Sequence, residues 1–230
     1  MKIALLGYGK MGRTIESLAT AAGDEIVLRI GSANAADLTT EKLRRADVAI
    51  DFSLPDTAFD NVSACLRAGV PVVCGTTAWL DRLEEAKQLC ADTKGAFLYA
   101  SNFSVGVNIF FAVNRYLADL MREQPQYGVR VEETHHTAKL DAPSGTAKTL
   151  AEALPPGTRI TAHRVDPAPG THVVTYDSPI DSIEIKHTAH SREGFARGAL
   201  QAARWLVGKE GFFGMADVLG LRTAASPRPQ

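Results

Sequence analysis

The sequence has few cysteines, almost no net charge and no long apolar run, and each of these absences removes a class of protein. Three cysteines in 230 residues, with no Cys-x-x-Cys pair, argue against a disulfide scaffold and against a zinc site. Because 25 Lys and Arg residues balance 26 Asp and Glu residues, no nucleic-acid partner is expected. No apolar stretch approaches the roughly 20 residues that cross a bilayer, so no membrane partner is expected either. We expect a cytoplasmic protein with reduced cysteines and no metal.

The remaining composition, 45% hydrophobic and 22% charged, is typical of a globular chain. Short runs rich in Ile, Val and Leu, typical of buried strands, lie at residues 2–6, 25–30, 48–52, 70–74 and 96–100. Segments with helical spacing lie between them, at residues 11–22, 55–68 and 79–91. Strands that alternate with helices predict an α/β fold, a doubly wound parallel sheet that is covered on both faces.

The pattern changes after residue 104. Strand-like runs lie at residues 129–134, 158–165, 172–176 and 182–188, with helical segments at 105–121, near Pro143 and at 195–207. Strands grouped around few helices predict a smaller α+β domain with an antiparallel sheet. We therefore predict a first domain at 1–104 and 207–230 and a second at 105–206, with a disordered tail at 224–230.

A glycine-rich string follows the first predicted strand and opens the first helix, and it reads Gly7-Tyr8-Gly9-Lys10-Met11-Gly12. In this context a G-x-G-x-x-G string gives a tight turn, a close backbone approach to a pyrophosphate, and a helix N-terminus that attracts anions. A tight turn in a protein that binds no dinucleotide is the alternative. The string predicts a Rossmann-like domain that binds a nicotinamide dinucleotide.

The residues after the second predicted strand bear on the choice of cofactor. An acidic residue at this point accepts a hydrogen bond from the ribose 2′-hydroxyl of NAD. Residues 29–34 contain no carboxylate, and Arg29 or Ser32 is suited to a 2′-phosphate. NADPH is therefore the favoured cofactor, and use of both NADPH and NADH is the alternative.

The ends of the later parallel strands face the same crevice as the glycine loop in this architecture. Small and hydroxyl-bearing residues stand at these ends, in the groups Asp51-Phe52-Ser53, Gly75-Thr76-Thr77 and Ala100-Ser101-Asn102-Phe103. Such residues allow a ribose or a nicotinamide to approach closely. Helix capping is the alternative explanation, and for Ser53 capping and ligand binding are equally favoured.

The most unusual string precedes the short helix of the second domain. It places His135 and His136 before Lys139, and then a Ser144-Gly145-Thr146 entry to a helix. An imidazole exchanges protons near pH 7, a lysine supplies charge or a proton, and a helix N-terminus holds anions. This combination suits the reduction of a small polyanion. Metal binding, simple capping and ordinary surface histidines are the alternatives, although neighbours on a strand point to opposite faces and so disfavour a shared metal.

The string from residue 135 to residue 147 closely resembles the signature of the 4-hydroxy-tetrahydrodipicolinate reductase (dihydrodipicolinate reductase) family. The resemblance extends over nearly the whole chain, through residues 7–13, 51–53, 75–77, 101–108, 185–189 and 194–199. It implies reduction of 4-hydroxy-tetrahydrodipicolinate, via dihydrodipicolinate, to tetrahydrodipicolinate by NAD(P)H. It also implies a place in the cytoplasmic biosynthesis of diaminopimelate and lysine, and a homotetramer built through the second domain.

The resemblance also implies residue roles. His135 is the proton donor or acceptor, and Lys139 is a second proton donor. His136 contacts the substrate, while Gly145 and Thr146 hold a substrate carboxylate. The cofactor is bound by the glycine loop, by Gly75, Thr76 and Thr77, and by Ala100, Ser101, Asn102 and Phe103.

Two features depart from the family pattern. Gly31 stands where many members carry an acidic residue, and the chain is short between residues 153 and 181. Arg164 and His172 in this stretch are candidates for lining the site, but they are not assigned to it. Two alternatives to this enzyme stay open. They are a non-enzymatic sensor of NAD(P) and a dehydrogenase that acts on another substrate, such as a semialdehyde.

Overall fold

The computed structural model describes residues 1–168 and 170–221, and this part of the chain forms two compact units. The first unit comprises Met1–Val105 and Glu193–Gly220, and the second comprises residues 106–192. The tail predicted to be disordered lies outside the described residues. Within the described residues, no helix combines the length and the apolar character that a membrane span requires.

The described residues form ten strands and eight α-helices, numbered along the chain, with short 3-10 helices at Ser32–Asp37 and Leu80–Arg82. The strands are β1 Lys2–Leu6, β2 Glu25–Ile30, β3 Val48–Asp51, β4 Val72–Cys74, β5 Ala96–Tyr99, β6 Gly128–His135, β7 Arg159–Arg164, β8 Thr171–Asp177, β9 Ser182–Thr188 and β10 Gly211–Phe213. The helices are α1 Lys10–Ala21, α2 Thr40–Leu43, α3 Pro55–Ala68, α4 Leu83–Asp92, α5 Val105–Met121, α6 Gly145–Glu152, α7 Glu193–Leu206 and α8 Met215–Val218.

The first unit contains a parallel sheet in the strand order β10-β5-β4-β3-β1-β2. The chain passes from β1 to β2 on one side and then returns to build β3, β4 and β5 on the other. Ligands of such sheets bind at the carboxyl ends of the strands where the order reverses. Here that point lies between β1 and β3.

Side chains on the two faces of this sheet enter separate hydrophobic cores. Along β1, Ile3 and Leu5 belong to one cluster, and Ala4 and Leu6 to the other, because successive strand residues point to opposite faces. Helices α1 and α7 contribute to the first cluster, and α3 and α4 contribute to the second. Cover on both faces explains the near-continuous apolar runs in the sequence, and the predicted α/β fold is confirmed.

Helix α7 belongs to the first unit, whereas the sequence prediction assigned every residue up to 206 to the second domain. Its Ala196, Ala199 and Ala203 are fully buried in the same core as Ile3 and Leu5. Helical periodicity shows which face of a helix is buried, but it does not show which sheet covers that face. The boundary therefore falls at residue 192.

Helix α3 begins at Pro55 as predicted, but its N-cap is the residue after Ser53, the cap candidate in the sequence. Leu54 occupies the N-cap position, Pro55 takes the first helical position, and Gly69 ends the helix with a φ of +73°. The hydroxyl of Ser53 instead accepts a hydrogen bond from Asn61 Nδ2 at 3.1 Å. Ser53 thus ties the end of β3 to the second turn of the helix.

The second unit contains a four-stranded sheet in the order β7-β6-β8-β9. Strand β8 is antiparallel to both β6 and β9, but β7 is parallel to β6. The predicted antiparallel sheet is therefore wrong for one strand pair. The reason is the connection, because α6 lies between β6 and β7, and a crossover through a helix returns the chain in the same direction.

Helices α5 and α6 share a small core with this sheet. Phe110 of α5, Leu150 of α6 and Val131 and Val174 of the sheet are buried together. Asn114 of α5 is also buried, and its Nδ2 donates to the Leu150 carbonyl at 2.9 Å. This contact joins the two helices and so fixes the helix that begins next to Ser144.

Replacing Gly198 in α7 by Ala is expected to lower the free energy of unfolding by about 1–3 kcal/mol. A Cβ atom at this position would overlap the Phe103 carbonyl, and neither backbone can move away easily. Gly194→Ala in the same helix is the control, since the nearest atom to its Cβ would be Ser104 Oγ at 3.8 Å. Urea unfolding of both variants measures the difference. Equal stability of the two variants would contradict the close approach.

Candidate active site

The glycine loop lies at the carboxyl end of β1. Gly7 has a φ of +93°, and a Cβ atom on it would overlap the carbonyl of Phe52 at the end of the neighbouring strand. A Cβ on Gly12 would overlap the Gly7 carbonyl in the same way. Gly9 is the N-cap of α1 and has no side chain to bond the first amides of the helix. These amides are therefore suited to a phosphate group.

A cavity of about 730 Å³ lies beside this loop, within the first unit. Its lining includes Gly7, Gly9, Arg29, Ser32, Asn34 and Ser53. All of its lining residues lie in the described part of the chain, and none of them carries a carboxylate. The volume and the position at the reversal of strand order suit part of a dinucleotide.

Arg29 supplies the positive charge of this cavity, and an acidic neighbour holds its guanidinium. Arg29 Nε donates to Glu16 Oε1 at 3.0 Å, and the same carboxylate accepts a hydrogen bond from the Tyr8 hydroxyl. Hydrogen bonds from Arg29 and then Tyr8 lower the pKa of Glu16. Beside Arg29, the backbone amide of Gly31 donates to Asn34 Oδ1 at 2.8 Å. The side chain that bonds the backbone after β2 is therefore the uncharged Asn34.

The hydroxyl of Thr76 is engaged inside the protein. It donates to the buried Asp51 at 2.6 Å and accepts from the Ser53 amide at 2.8 Å. Asn61 Nδ2 donates to the other Asp51 oxygen at 2.9 Å. Burial raises the pKa of Asp51, although the hydrogen bonds from Thr76 and Asn61 oppose the rise. The Thr76 side chain thus joins the ends of β3 and β4, and the Gly75 amide, which donates to the Asp51 carbonyl at 2.8 Å, joins them as well.

The four predicted cofactor residues that follow β5 divide between core and surface. Phe103 is buried, and its ring centroid lies 5.6 Å from that of Phe52. Asn102 Oδ1 accepts a hydrogen bond from the Ser104 amide at 2.9 Å, while Ser101 is exposed. The Phe103 side chain therefore packs in the core, against Phe52 at the end of β3.

The second unit carries a polar cluster that is built on β6. Val131, Glu133 and His135 alternate along the strand and are all buried. The exposed fraction of Glu133 is 1%, and both of its carboxylate oxygens lie 3.1 Å from the Ser144 amide nitrogen. Arg164 Nη2 donates to Glu133 Oε1 at 3.1 Å. The buried negative charge is therefore matched by an amide and a guanidinium.

Arg164 also holds the loop that carries Lys139. Its Nε donates to the Lys139 carbonyl at 3.1 Å, and its Nη2 donates to the Asp141 carbonyl. Because β7 pairs with β6 so that Arg164 lies opposite His135, the guanidinium reaches both the cluster and the loop. Lys139 Nζ lies 2.7 Å from Asp141 Oδ1, with a quarter of the lysine side chain exposed.

His172 of β8 completes the cluster. Its ring packs against that of His135 in a T-shaped arrangement with centroids 5.0 Å apart. A hydrogen bond of 3.2 Å joins His172 Nε2 to Ser144 Oγ. Ser144 Oγ also accepts from the Ala147 amide at 3.2 Å and thereby caps α6. His172 is thus hydrogen-bonded to the start of α6, and His135 joins the cluster through its ring contact with His172.

The charges of this cluster follow from burial and hydrogen bonding. Burial disfavours the Glu133 carboxylate, but hydrogen bonds from Ser144 and Arg164 outweigh it, so the pKa of Glu133 lies below its usual value. Burial lowers the pKa of His135, and Lys139 and Arg164 lower it further. Burial, with a smaller contribution from His135, lowers the pKa of His172 to about 4. At neutral pH the cluster holds an ionised carboxylate beside two neutral imidazoles.

The N-terminus of α6 is the anion-binding feature of this unit. Gly145 and Thr146 are its first two residues, and their amides have no partner within the helix. Gly145 is exposed, and the space where its Cβ would stand is open. His136 is half-buried and is not among the described side chains that contact Glu133. The structure therefore brings together His135, Lys139 and the start of α6, and the His136 carbonyl accepts a hydrogen bond from the Lys139 amide at 3.1 Å.

Glu133, His135 and His172 offer three metal-ligand atoms that lie within 4.8 Å of one another. Two imidazoles and a carboxylate are a common ligand set for transition metals. However, Arg164 already compensates the carboxylate, and the positive charges of Arg164 and Lys139 act on His135. This charge balance disfavours a divalent cation at the cluster.

Sequence reasoning gave no role to Glu133, placed the Ser144 amide in an anion site, and named Arg164 and His172 only as uncommitted candidates for lining the site. For Glu133 a signal was present, because a carboxylate two residues before His135 shares its strand face. For Arg164 and His172 the signal lies in strand register, since Arg164 pairs with His135 and His172 pairs with Glu133 across the sheet.

A unit that cradles a dinucleotide, followed by a unit that carries acid–base groups and an anion site, defines the class of nicotinamide-dependent reductases. The family model described as "Dihydrodipicolinate reductase, N-terminus" matches residues 1–103, and "Dihydrodipicolinate reductase, C-terminus" matches residues 106–219. The chain belongs to the dihydrodipicolinate reductase family. It is an oxidoreductase that uses NAD(P)H to reduce 4-hydroxy-tetrahydrodipicolinate in the biosynthesis of diaminopimelate and lysine.

The relatives agree on this activity. A 4-hydroxy-tetrahydrodipicolinate reductase from Christiangramia forsetii is 47% identical over 95% of this chain and 98% of its own length. Another, from Methanoregula boonei, is 34% identical over 96% of this chain and 98% of its own length. The predicted family and reaction are confirmed.

Solved structures share the fold. Dipicolinate-bound dihydrodipicolinate reductase from Paenisporosarcina sp. TG-14 matches with a TM-score of 0.79 and 21% identity, covering 94% of this chain and 98% of its own. An amine dehydrogenase from Mycobacterium smegmatis matches with a TM-score of 0.65 and 12% identity, covering 100% and 98%. At these identities the likeness concerns the fold alone.

Acidification is expected to weaken the native state through His172. Its folded-state pKa of about 4 lies below the unfolded value of about 6.5, so the unfolded chain binds more protons between these pH values. The free energy of unfolding therefore falls as the pH falls through this window, by up to roughly 3 kcal/mol. Urea unfolding from pH 7 to pH 4 measures the slope. His172→Gln is expected to reduce this slope. His163→Gln, a change at an exposed residue, is the control and is expected to leave the slope unchanged. Equal slopes in the wild type and both variants would refute the assignment to His172.

Proposed function

We propose that His135 and Lys139 exchange protons with the substrate, and that His136, Gly145 and Thr146 hold it. One observation carries this proposal. The buried Glu133 carboxylate contacts His135, the Ser144 amide at the start of α6, and Arg164, which in turn binds the Lys139 carbonyl. A proton-exchanging group, an ammonium and a helix N-terminus are thereby held in fixed positions within one unit.

The substrate suited to this site is a small dicarboxylate. The related structure from Paenisporosarcina sp. TG-14 is described with dipicolinate bound, and dipicolinate is a ring with two carboxylates. The amides of Gly145 and Thr146 and the ammonium of Lys139 are donors that favour carboxylates. Lys139 pairs with the exposed Asp141, and we propose that a substrate carboxylate takes the place of Asp141.

The proton chemistry follows from the hydride that the bound nicotinamide supplies. Hydride addition leaves an electron-rich, enamine-like substrate that must take up a proton. Lys139 and His135 are the groups that we propose for this transfer. Fixed donors around the carboxylates stabilise the developing charge because they need no reorganisation during the reaction.

We propose that the cofactor is bound by the glycine loop, Gly7, Tyr8, Gly9, Lys10, Met11 and Gly12, and by Gly75, Thr76, Thr77, Ala100, Ser101, Asn102 and Phe103. We also propose a preference for NADPH. A cavity wall without carboxylates, together with Arg29 and Ser32, supports this preference. A 2′-phosphate would compete with Glu16 for the Arg29 guanidinium.

We propose a homotetramer as the working assembly, in the cytoplasm. Ile109, Val113, Tyr116 and Leu120 lie along α5 at spacings of four, three and four residues, which places them on one helix face. Each is between 44% and 58% exposed. A continuous apolar stripe of this kind is typical of an interface, and the family resemblance favours a second copy of the chain as its occupant.

Replacing His135 or Lys139 by Ala is expected to lower kcat by about 10²–10⁴-fold, the range for loss of a positioned acid or base. NADPH oxidation in the presence of 4-hydroxy-tetrahydrodipicolinate measures this effect. His163→Ala and Lys148→Ala are the matched controls, since both are exposed residues of the same unit. Wild-type turnover in both site variants would refute the proposed roles.

The ratio of kcat/KM for NADPH to that for NADH is expected to exceed about tenfold, which corresponds to roughly 1.4 kcal/mol. Arg29→Ala is expected to lower kcat/KM for NADPH more than for NADH, because only NADPH carries the 2′-phosphate. Arg67→Ala, at the far end of α3 from the cavity, is the control. A wild-type preference for NADH would overturn the cofactor assignment.

A further inference from the structure

We propose that Glu133 is a positioning residue that fixes the tautomer of His135. Its carboxylate keeps the imidazole hydrogen on Nδ1, so that Nε2 is the atom that takes up and releases the catalytic proton. This inference rests on the proposed role of His135 as a proton-exchanging group. It extends that role from the residue to the individual nitrogen.

The two edges of the His135 ring face different surroundings. Nδ1 is buried, lies 3.7 Å from Glu133 Oε2, and is among the described polar atoms for which no hydrogen-bond partner is present. The opposite edge, Cδ2 and Nε2, faces Gly170. A Cβ atom added to this glycine would lie 3.2 Å from His135 Cδ2 and 3.3 Å from His135 Nε2. A carboxylate oxygen repels a nitrogen lone pair and attracts an N–H group. The hydrogen therefore belongs on Nδ1, and the contact can shorten when substrate binds.

The bonding of Glu133 determines which of its oxygens faces the imidazoles. Oε1 accepts from Arg164 Nη2 and from the Ser144 amide, both at 3.1 Å. The Arg164 guanidinium and the Ser144 amide can only donate hydrogen bonds, and neither group gains or loses a proton near neutral pH. Oε2 shares the Ser144 amide and faces His135 Nδ1 at 3.7 Å and His172 Nε2 at 3.6 Å. One oxygen is thus anchored, and the other is directed at the rings.

The charged and titratable groups that face His135 come from every neighbouring element. Glu133 lies on its own strand, Arg164 on β7 and His172 on β8, and Lys139 and Asp141 lie in the following loop. Glu133 favours the imidazolium, while Lys139 and Arg164 oppose it. When Nε2 gains a proton, Glu133 therefore stabilises the resulting cation. When Nε2 releases that proton, the Nδ1–H tautomer is restored.

Glu133→Gln keeps the shape of the side chain and reverses its hydrogen bonding. The single amide oxygen must face Arg164 and Ser144, because neither of these groups can accept a hydrogen bond in its place. The NH2 group then points at His135 Nδ1 and donates to it. This bond requires a lone pair on Nδ1, so the hydrogen moves to Nε2. The variant is therefore expected to hold His135 in the opposite tautomer.

The experiment is ¹⁵N NMR of the full-length protein labelled at histidine, with the His135 signals identified by their loss in His135→Asn. In the wild type we expect Nδ1 to carry the hydrogen of neutral His135. In Glu133→Gln we expect the hydrogen on Nε2, a lower pKa for His135, and a fall in kcat of about 10–100-fold, the range for partners that orient an imidazole. The KM for NADPH is expected to change less than twofold, since the cofactor loop lies in the other unit.

The control is Glu132→Gln, one residue away and facing the opposite side of β6. It is expected to keep the wild-type tautomer, His135 pKa and kcat. A wild-type His135 with its hydrogen on Nε2 overturns the proposal without any variant, as does an unchanged tautomer in a folded Glu133→Gln protein. Full activity in His135→Asn would instead refute the proposed role of His135 itself. The experiment therefore distinguishes failure of the proposed role of Glu133 from failure of the proposed role of His135.

Discussion

The second unit depends on the ionised carboxylate of Glu133 being held in the protein interior. Burial alone would make this charge unfavourable, and it persists because the Arg164 guanidinium and the Ser144 amide donate to it. Each donor belongs to a different element, Arg164 to β7 and Ser144 to the cap of α6. The same bonds that compensate the charge therefore set where the imidazoles, the lysine loop and the anion-binding helix end stand. The positions of the chemical groups of this site therefore depend on one buried charge, while the hydrophobic core around Phe110 and Leu150 packs the unit together.

Much of the fold was accessible from the sequence because its signals are local. The bounds of β1, α3, α5 and β9 follow from apolar runs, from Pro55 and from helical spacing, and the structure reproduces them. The direction of β7 and the placement of α7 were predicted wrongly. Both depend on which surface an element packs against, and a periodic pattern carries no such information. Ser53 shows the same limit, since its hydroxyl bonds Asn61 through tertiary contact.

The site residues, like the fold, divide into those that local sequence signals predict and those that tertiary contacts place. The glycine loop and the segment with His135, Lys139 and Gly145 are contiguous in sequence, so their residue types and spacing indicate their chemistry directly. Arg164 and His172 reach the cluster through strand pairing, at positions that sequence spacing does not reveal. Thr76 illustrates a further difficulty. A hydroxyl at a strand end is equally compatible with ligand binding and with the buried bond to Asp51 that the structure shows.

The first unit is discontinuous in sequence, and this has a consequence for its biogenesis. Helix α7 contributes to the core that contains Ile3 and Leu5, yet the ribosome makes the entire second unit before this helix. This face of the nascent parallel sheet is therefore covered by α1 alone throughout that interval, and part of its apolar surface stays exposed. Exposed apolar surface on a partly folded chain favours aggregation and chaperone binding. The cofactor-binding unit can complete its folding only after the segment from Glu193 onward has left the exit tunnel.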